Sequence, residues 1–388
     1  MKVCLLTNMI PPYRVPFFEA LAGHCDLHVI CDTLTESNRQ WEIPDSFPFP
    51  VTILNSKNVH WTLNQQDLDY KERRQFHFGW KVSKELNRRK PDIVVTCEFG
   101  LRTILAARHC GRHHLPLGIW WEGTKHTERN VTGIRRWVRR WLAPKASFYW
   151  SNGKASTEYV KSLGDIQASF HEGITGVDTA KLAADCDEEL RGRDALRESM
   201  GLKGTVFLFA GALNGRKGVR EFCAALRELD GKLDGRECSF VFVGDGECRE
   251  DLEEVAKATS NNLIVKLEGF RQPEELTRYF ALADAFVLPT LEDNWPLVTI
   301  EAVAAGLPQL LSTYNGAAQN LGENPELGRV FDPVKTPDFA SMLLDWCVTP
   351  PPRIPETLRQ EKIRYYSPSS QAERAFQAMV NTGKDTEA

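Results

Sequence analysis

The sequence predicts an α/β protein made of two doubly wound, Rossmann-like domains in tandem. Short apolar runs of strand length alternate with amphipathic stretches of helical period along most of the chain. That is the pattern of parallel strands covered by helices on both faces. The alternation runs through twice, separated near Gly173–Met200 by a stretch with little continuous apolar pattern and a charged run, Asp185–Arg197. The 388 residues, 42% hydrophobic and 26% charged, have a globular composition and a length that fits two or three domains.

In the first half, strands are expected at Lys2–Thr7, Leu27–Cys31, Val51–Leu54, Asp92–Cys97, Leu117–Trp121 and Ser147–Trp150. Helical periodicity fills Val15–Ala22, Lys71–Arg89, Arg102–Cys110 and Ile134–Leu142. In the second half, strands are expected at Val206–Gly211, Ser239–Val243, Leu263–Leu267, Ala285–Pro289 and Gln309–Leu311. Helices are expected at Val219–Leu229, Cys248–Ala258, Pro273–Leu282 and Leu297–Ala305. Pro350-Pro351-Pro352 stops any helix before it, and helical patterns resume at Glu356–Tyr366 and Ser370–Val380.

Composition excludes several classes. No run of about 18 apolar residues exists, so no membrane-spanning helix is expected. The apolar run after Met1 is too short for a secretory signal and meets Pro11-Pro12. Ten cysteines without a Cys-x-x-Cys pair suit reduced thiols, and hence a cytoplasmic location. The net charge of −4 hides an asymmetry: residues 1–170 carry 24 basic and 16 acidic side chains, leaving 24 basic and 36 acidic for the rest. Eight of the ten tryptophans also lie in residues 1–170, so that half suits an anionic substrate or a membrane surface. One short basic stretch in a net-acidic chain gives no footprint for nucleic acid.

Three segments after expected strands carry chemistry. In Gly211-Ala212-Leu213-Asn214-Gly215-Arg216-Lys217-Gly218, glycines allow backbone N–H groups near a phosphate, and Arg216 and Lys217 supply charge for a diphosphate. It lacks the P-loop pattern. Val243-Gly244-Asp245-Gly246 offers a second tight turn, but not a dinucleotide fingerprint. In Pro289-Thr290-Leu291-Glu292-Asp293-Asn294-Trp295-Pro296-Leu297-Val298, an acidic loop precedes a helix expected to start near Pro296, with Glu301 two turns inside. Such carboxylates accept hydrogen bonds from sugar hydroxyls; alternatively, Asp293 or Asn294 merely caps the helix and Glu301 faces solvent.

Taken in order, Gly211…Lys217-Gly218, Val243-Gly244-Asp245-Gly246, Glu268-Gly269-Phe270, Ala283–Thr290 and Asp293…Glu301-Ala302…Gly306-Leu307-Pro308 resemble the family 4 retaining glycosyltransferases of GT-B fold. The resemblance is strong over residues 200–320. The opening Thr7–Phe18 looks like that of a bacterial, cell-surface polysaccharide subgroup. It implies an acceptor-side domain at residues 1–172, a linker at 173–200, a donor domain at 201–365 and a helix at 366–388 crossing back, with the two domains facing across a cleft.

The resemblance further implies that Lys217 binds the donor diphosphate with Gly211, Arg216 and Gly244, and that Asp293 contacts the donor sugar. Glu301 would hold the ribose, the Leu297 and Val298 backbone the distal phosphate, and Gly269, Phe270 and Arg271 the base. No metal cofactor is expected; the donor would be a nucleoside-diphosphate sugar, UDP- or GDP-linked. Three positions depart from the family pattern. Ala212 replaces an arginine, for which Arg216 is the candidate substitute. Asp293 replaces a glutamate, with Glu292 and Asn294 beside it, and Pro296 replaces a glycine.

In the first half, Tyr13 and Arg14 are candidates to meet an acceptor, and Glu122 or His126 to orient its hydroxyl; Glu98 is a further strand-end carboxylate. Arg135–Leu142 is basic and aromatic at helical spacing, suited to peripheral contact with the inner membrane face. Asp67-Leu68-Asp69 and Asp185-Cys186-Asp187 imitate a metal-binding Asp-x-Asp and are rejected on context; Asn130-Val131-Thr132 is a sequon without consequence in a cytoplasmic protein. The expected function is a retaining glycosyltransferase acting on a glycan or lipid-linked acceptor in cell-surface polysaccharide synthesis. A nucleotide-sugar epimerase of the same fold, or a non-catalytic nucleotide-sugar binder, remains open.

Overall fold

The computed structural model describes residues 1–34, 46–65, 70–78, 80–174 and 176–384. The Asp67-Leu68-Asp69 segment lies outside these. The elements run, in chain order, β1 (Lys2–Thr7), α1 (Val15–Ala22), β2 (Asp26–Cys31), β3 (Val51–Ile53), β4 (Lys57–Gln65), β5 (Tyr70–Phe78), α2 (Val82–Arg89), β6 (Ile93–Cys97), α3 (Leu101–His113), β7 (Leu117–Trp121), α4 (Gly133–Leu142), β8 (Phe148–Ser151), α5 (Gly153–Lys161) and β9 (Ser169–Glu172). They continue as α6 (Thr179–Glu189), α7 (Arg193–Ser199), β10 (Thr205–Ala210), α8 (Val219–Asp230), β11 (Cys238–Val243), α9 (Arg249–Ala258), β12 (Leu263–Gly269), α10 (Pro273–Leu282), β13 (Ala285–Leu288), α11 (Val298–Ala304), β14 (Gln309–Ser312), β15 (Gly328–Phe331), α12 (Thr336–Val348), α13 (Glu356–Tyr366) and α14 (Pro368–Lys384).

Two compact units divide the chain, the first drawn from Met1–Leu63, Lys71–Val177 and Tyr366–Ala388, the second chiefly from Asp178–Tyr365. The first holds a seven-stranded sheet in the order β3-β2-β1-β6-β7-β8-β9. Its strands are parallel wherever they pair. Helices cover both faces, so β1, β6 and β7 are apolar almost throughout. One face buries Leu5, Phe17, Phe18 and Trp120, and α14 supplies Ala372, Ala375, Ala378 and Met379 to the same core. The chain's last helix therefore completes the first unit, packed on α1.

The second unit holds a six-stranded parallel sheet, β12-β11-β10-β13-β14-β15. Phenylalanines fill its core: Phe207 stacks on Phe240 at 4.7 Å, and Phe222 joins the sheet to Phe339 of α12. In both sheets the strand order reverses once, between β1 and β6 and between β10 and β13. Ligands of open α/β sheets bind beyond the carboxyl ends of strands at such reversals.

Several expectations are corrected. Lys71–Arg89 is not one helix: Tyr70–Phe78 is a strand paired with β4, and the helix begins at Val82. Pairing with β4 outweighs the helical preference of this charged stretch. The stretch Asp185–Arg197, poor in apolar pattern, forms the end of α6 and most of α7, which pack on α10 and α11 in the second unit. Asp178 caps α6 by accepting from the Lys181 N–H at 3.1 Å. Strands β4, β9 and β15 and helices α5 and α12 carry no expectation from the sequence.

Candidate donor site at a strand-order reversal

The loops after β10 and β13 face each other at the reversal point of the second sheet. Gly218 makes their approach feasible. Its φ is +71°, and a Cβ there would sit 1.9 Å from the Pro289 carbonyl oxygen, so only glycine fits. Gly244 is constrained in the same way: at φ +142° a Cβ would lie 1.9 Å from the Gly211 carbonyl oxygen. The Gly211 N–H donates to Val243 and the Gly244 N–H to Gly269, which lines up the ends of β10, β11 and β12. Gly269 lies at a register shift of β12, and the Phe270 ring beyond it is exposed. Arg271 lies 3.6 Å from Glu268 and 3.8 Å from Glu275.

Between these loops the charges meet. The Asn214 side chain caps a short turn by accepting from the Lys217 N–H at 3.0 Å, which sends Lys217 toward the β13 loop. Lys217 Nζ lies 2.6 Å from Asp293 Oδ2, and Arg216 Nη1 lies 3.4 Å from the same oxygen. Arg216 also donates to the Glu292 carbonyl at 2.9 Å. Its own carbonyl accepts from the Thr290 hydroxyl and the Leu291 N–H. The candidate substitute for the arginine absent at Ala212 is thus bound into this cluster.

Burial opposes the charge of Asp293. Lys217, Arg216 and a hydrogen bond from the Trp295 backbone outweigh it and hold the carboxyl below its ordinary value. Burial also lowers the Lys217 ammonium, with Asp293 opposing and Arg216 adding to the effect. Beside them Asn294 Oδ1 is buried without a hydrogen-bond partner. A buried acceptor of this kind calls for a donor from outside the chain.

Neither Asp293 nor Asn294 caps the following helix: Leu297 stands at the cap of α11 without a side-chain bond, and Val298 opens the helix. Glu301 is not a solvated side chain either. It is half-buried, and burial pushes its carboxyl up to about 7.

In the first unit, Arg14 follows β1 and Glu122 follows β7. The two form an ion pair, and the Arg14 guanidinium stands over the Trp120 ring at 4.5 Å and the Tyr13 ring at 5.8 Å. Burial disfavours the Arg14 charge, but Glu122, with Tyr13, Cys97 and Glu98 adding to it, raises the pKa overall. Arg14 Nε is buried without a partner. The Glu122 carbonyl accepts from Ser156 at 2.6 Å. The His126 carbonyl accepts from Arg129 at 2.8 Å. Exposed Glu98 holds φ +73° and lies 3.9 Å from Arg102. Arg102 pairs with fully buried Asp32, which also accepts from Ser56. Sequence reasoning missed this trio, because Asp32, Ser56 and Arg102 belong to no local motif. Among the described residues no group of three His, Cys, Asp or Glu could hold a metal, the ten cysteines are free thiols, and no helix is long and apolar enough to cross a membrane.

Two parallel sheets of this topology, with a basic turn facing an acidic loop at the reversal of the second, define a GT-B protein. Solved structures agree on the fold. Anabaena Alr3699/HepE in complex with UDP superimposes with a TM-score of 0.64 at 17% identity, covering 100% of this chain and 98% of that one. The apo lipopolysaccharide outer core galactosyltransferase WaaB gives 0.66 at 12%, covering 98% and 99%.

Residues 204–347 match the family described as "Glycosyl transferases group 1". The chain is 33% identical over 214 residues to the alpha-D-kanosaminyltransferase of Streptomyces kanamyceticus, 55% of this chain and 54% of that protein. It is 28% identical over 241 residues to the Escherichia coli UDP-Gal:alpha-D-GlcNAc-diphosphoundecaprenol alpha-1,3-galactosyltransferase, 60% of each. These matches span little more than half the length of the curated relatives.

Proposed function

We propose that this protein is a retaining glycosyltransferase, taking a sugar from a nucleoside-diphosphate donor and passing it to a hydroxyl of a glycan or lipid-linked acceptor. The observation that carries this reading is the Lys217–Asp293 pair at the reversal of the second sheet, with the unpartnered Asn294 Oδ1 beside it. UDP is the first donor to test, since Alr3699/HepE was solved with it.

In the reaction, the bond between the sugar's anomeric carbon and the β-phosphate oxygen breaks while the acceptor hydroxyl forms its bond on the same face. The hydroxyl proton passes to the departing diphosphate. Lys217 and Arg216, preorganised by Asn214 and Asp293, meet the charge that develops there. The Leu297–Val298 end of α11 adds its partial positive charge. Asp293 and Asn294 hold the sugar hydroxyls, Glu301 the ribose, and the turn Gly269-Phe270-Arg271 the base. Residues 201–365 form the donor domain and residues 1–172 the acceptor side, with α14 completing the latter. Arg14 and Glu122 orient the acceptor, Arg14 being mostly buried and Glu122 open enough for a hydroxyl to reach it.

The test is thermal stability with UDP, GDP, ADP and their sugars, for wild type and Lys217→Ala, followed by product analysis with and without acceptor. Stabilisation by one nucleotide that shrinks in the variant supports the donor site. Nucleoside diphosphate released with an acceptor supports transfer. An epimerised donor without acceptor, or binding without turnover, would replace this reading.

A further inference from the structure

Helix α4 carries a surface that the transfer chemistry does not use. Ile134, Trp137 and Trp141 are 80%, 65% and 40% exposed. Their spacing places them on one face of the helix. The Trp137 and Trp141 rings stack with centroids 6.4 Å apart and planes 10° from parallel. Lys145 Nζ stands 4.5 Å from the Trp141 ring, which helps hold that indole outward. With Gly133, Arg136 and Arg140 the two indoles line a shallow concavity. The opposite face is spent inward: Leu142 is buried, and Arg139 pairs with Glu128 at 2.6 Å and stands over Trp121.

Charge says what covers the outward face. Residues 125–145 hold seven basic side chains and one acid, Glu128. That acid is turned in to Arg139. Among the described residues the Arg136 and Arg140 side chains have no hydrogen-bonded or ion-paired partner. Indoles beside unpaired guanidinium groups match the boundary of an anionic bilayer, where aromatic rings sit at headgroup level and phosphates meet arginine. A protein partner of acidic character would leave so exposed an indole pair without the hydrocarbon it can enter.

We propose that α4 is a peripheral membrane-docking helix for acidic phospholipid, with Ile134, Trp137 and Trp141 entering the interface and Arg136 and Arg140 binding headgroup phosphates. This inference does not depend on the transfer reaction, because vesicles without donor or acceptor test it.

The experiment is flotation of the full chain with vesicles of phosphatidylcholine alone and of phosphatidylcholine mixed with phosphatidylglycerol. Wild type should float with the mixed vesicles and not with phosphatidylcholine, and less so as salt is raised. Arg136→Glu/Arg140→Glu should weaken binding about thirtyfold or more. Trp137→Ala/Trp141→Ala should weaken it about tenfold, while Arg136→Lys/Arg140→Lys keeps most of it. All four side chains point to solvent, so unchanged far-UV circular dichroism and melting temperature should accompany these losses. Binding to mixed vesicles that survives both the glutamate and the alanine pairs overturns the proposal. So does equal flotation with phosphatidylcholine alone, or no flotation at all. Concentration-dependent dimers abolished by the alanine pair would instead assign the face to a second copy, and tight binding of single-stranded RNA lost in the glutamate pair would assign it to nucleic acid.

Discussion

Lys217 Nζ and Asp293 Oδ2 lie 2.6 Å apart although 76 residues separate them in the chain. The two strands that bring them there, β10 and β13, are neighbours in the sheet. The contact is a consequence of strand order, and it puts a cation and an anion, both mostly buried, at the mouth of the second sheet.

Removing one partner should therefore hurt the empty protein as well as donor binding. Lys217→Ala leaves Asp293 buried against Arg216 alone, and should cost about 3 kcal/mol of stability. Urea denaturation without ligand measures it. Lys217→Met/Asp293→Leu should recover most of that loss while nucleotide stabilisation stays absent, so the cycle separates folding from binding.

Glu301 makes stability fall as pH rises. Its folded carboxyl, pushed up to about 7, holds a proton that the unfolded chain has already released above about 4.5. The folded state therefore binds more protons in that window. The stability it contributes is complete below the unfolded value and is lost by about pH 7, up to about 3 kcal/mol. Glu301→Gln should flatten this part of the stability-against-pH curve. It should also weaken nucleotide binding above pH 7 more than below it, since the ionised carboxylate is the better acceptor for ribose hydroxyls. Melting temperatures of both proteins from pH 5 to pH 8 check the first effect, and UDP titrations the second.

Gly218→Ala should be among the most damaging small substitutions in the second unit. The added methyl would meet the Pro289 carbonyl oxygen at 1.9 Å, at a φ of +71°. A loss of about 2 kcal/mol or more is expected, together with loss of nucleotide-induced stabilisation, because the two loops must part. Gly100→Ala is the control: no heavy atom lies within 4 Å of its added methyl.

Glu122→Gln should act on the acceptor rather than the donor. It keeps the volume and weakens the pair with Arg14, so kcat/KM for the acceptor should fall about tenfold or more while KM for the donor holds. Steady-state kinetics in both substrates decide it. An equal fall in donor affinity would place the pair in the donor site.

Much of the fold was legible because both sheets are parallel and covered on two faces. Their central strands, such as Lys2–Thr7 and Ala285–Leu288, read as short apolar runs, and the helices between them have one apolar face. What escaped lacks that signature. Tyr70–Phe78 carries charged and aromatic residues in no strict alternation, and only its pairing with β4 makes it a strand. The 179–199 stretch looks like a linker because charge hides the few positions, such as Ala183 and Cys186, that it buries.

The sequence alone determined the fold class and the glycines and charges of the segments around Lys217, Asp293 and Glu301, because glycine spacing, strand runs and charge are local properties. Only the tertiary structure decided which side chains meet. It paired Asp293 with Lys217 and Arg216, Glu122 with Arg14, and Asp32 with Arg102, and it left Glu301 half-buried. It also turned Trp137 and Trp141 outward and Arg139 inward, which helical spacing permits in either sense. Those outcomes depend on strand order and on which face of each helix meets the sheet, and both are set by burial of the whole chain rather than by any one segment.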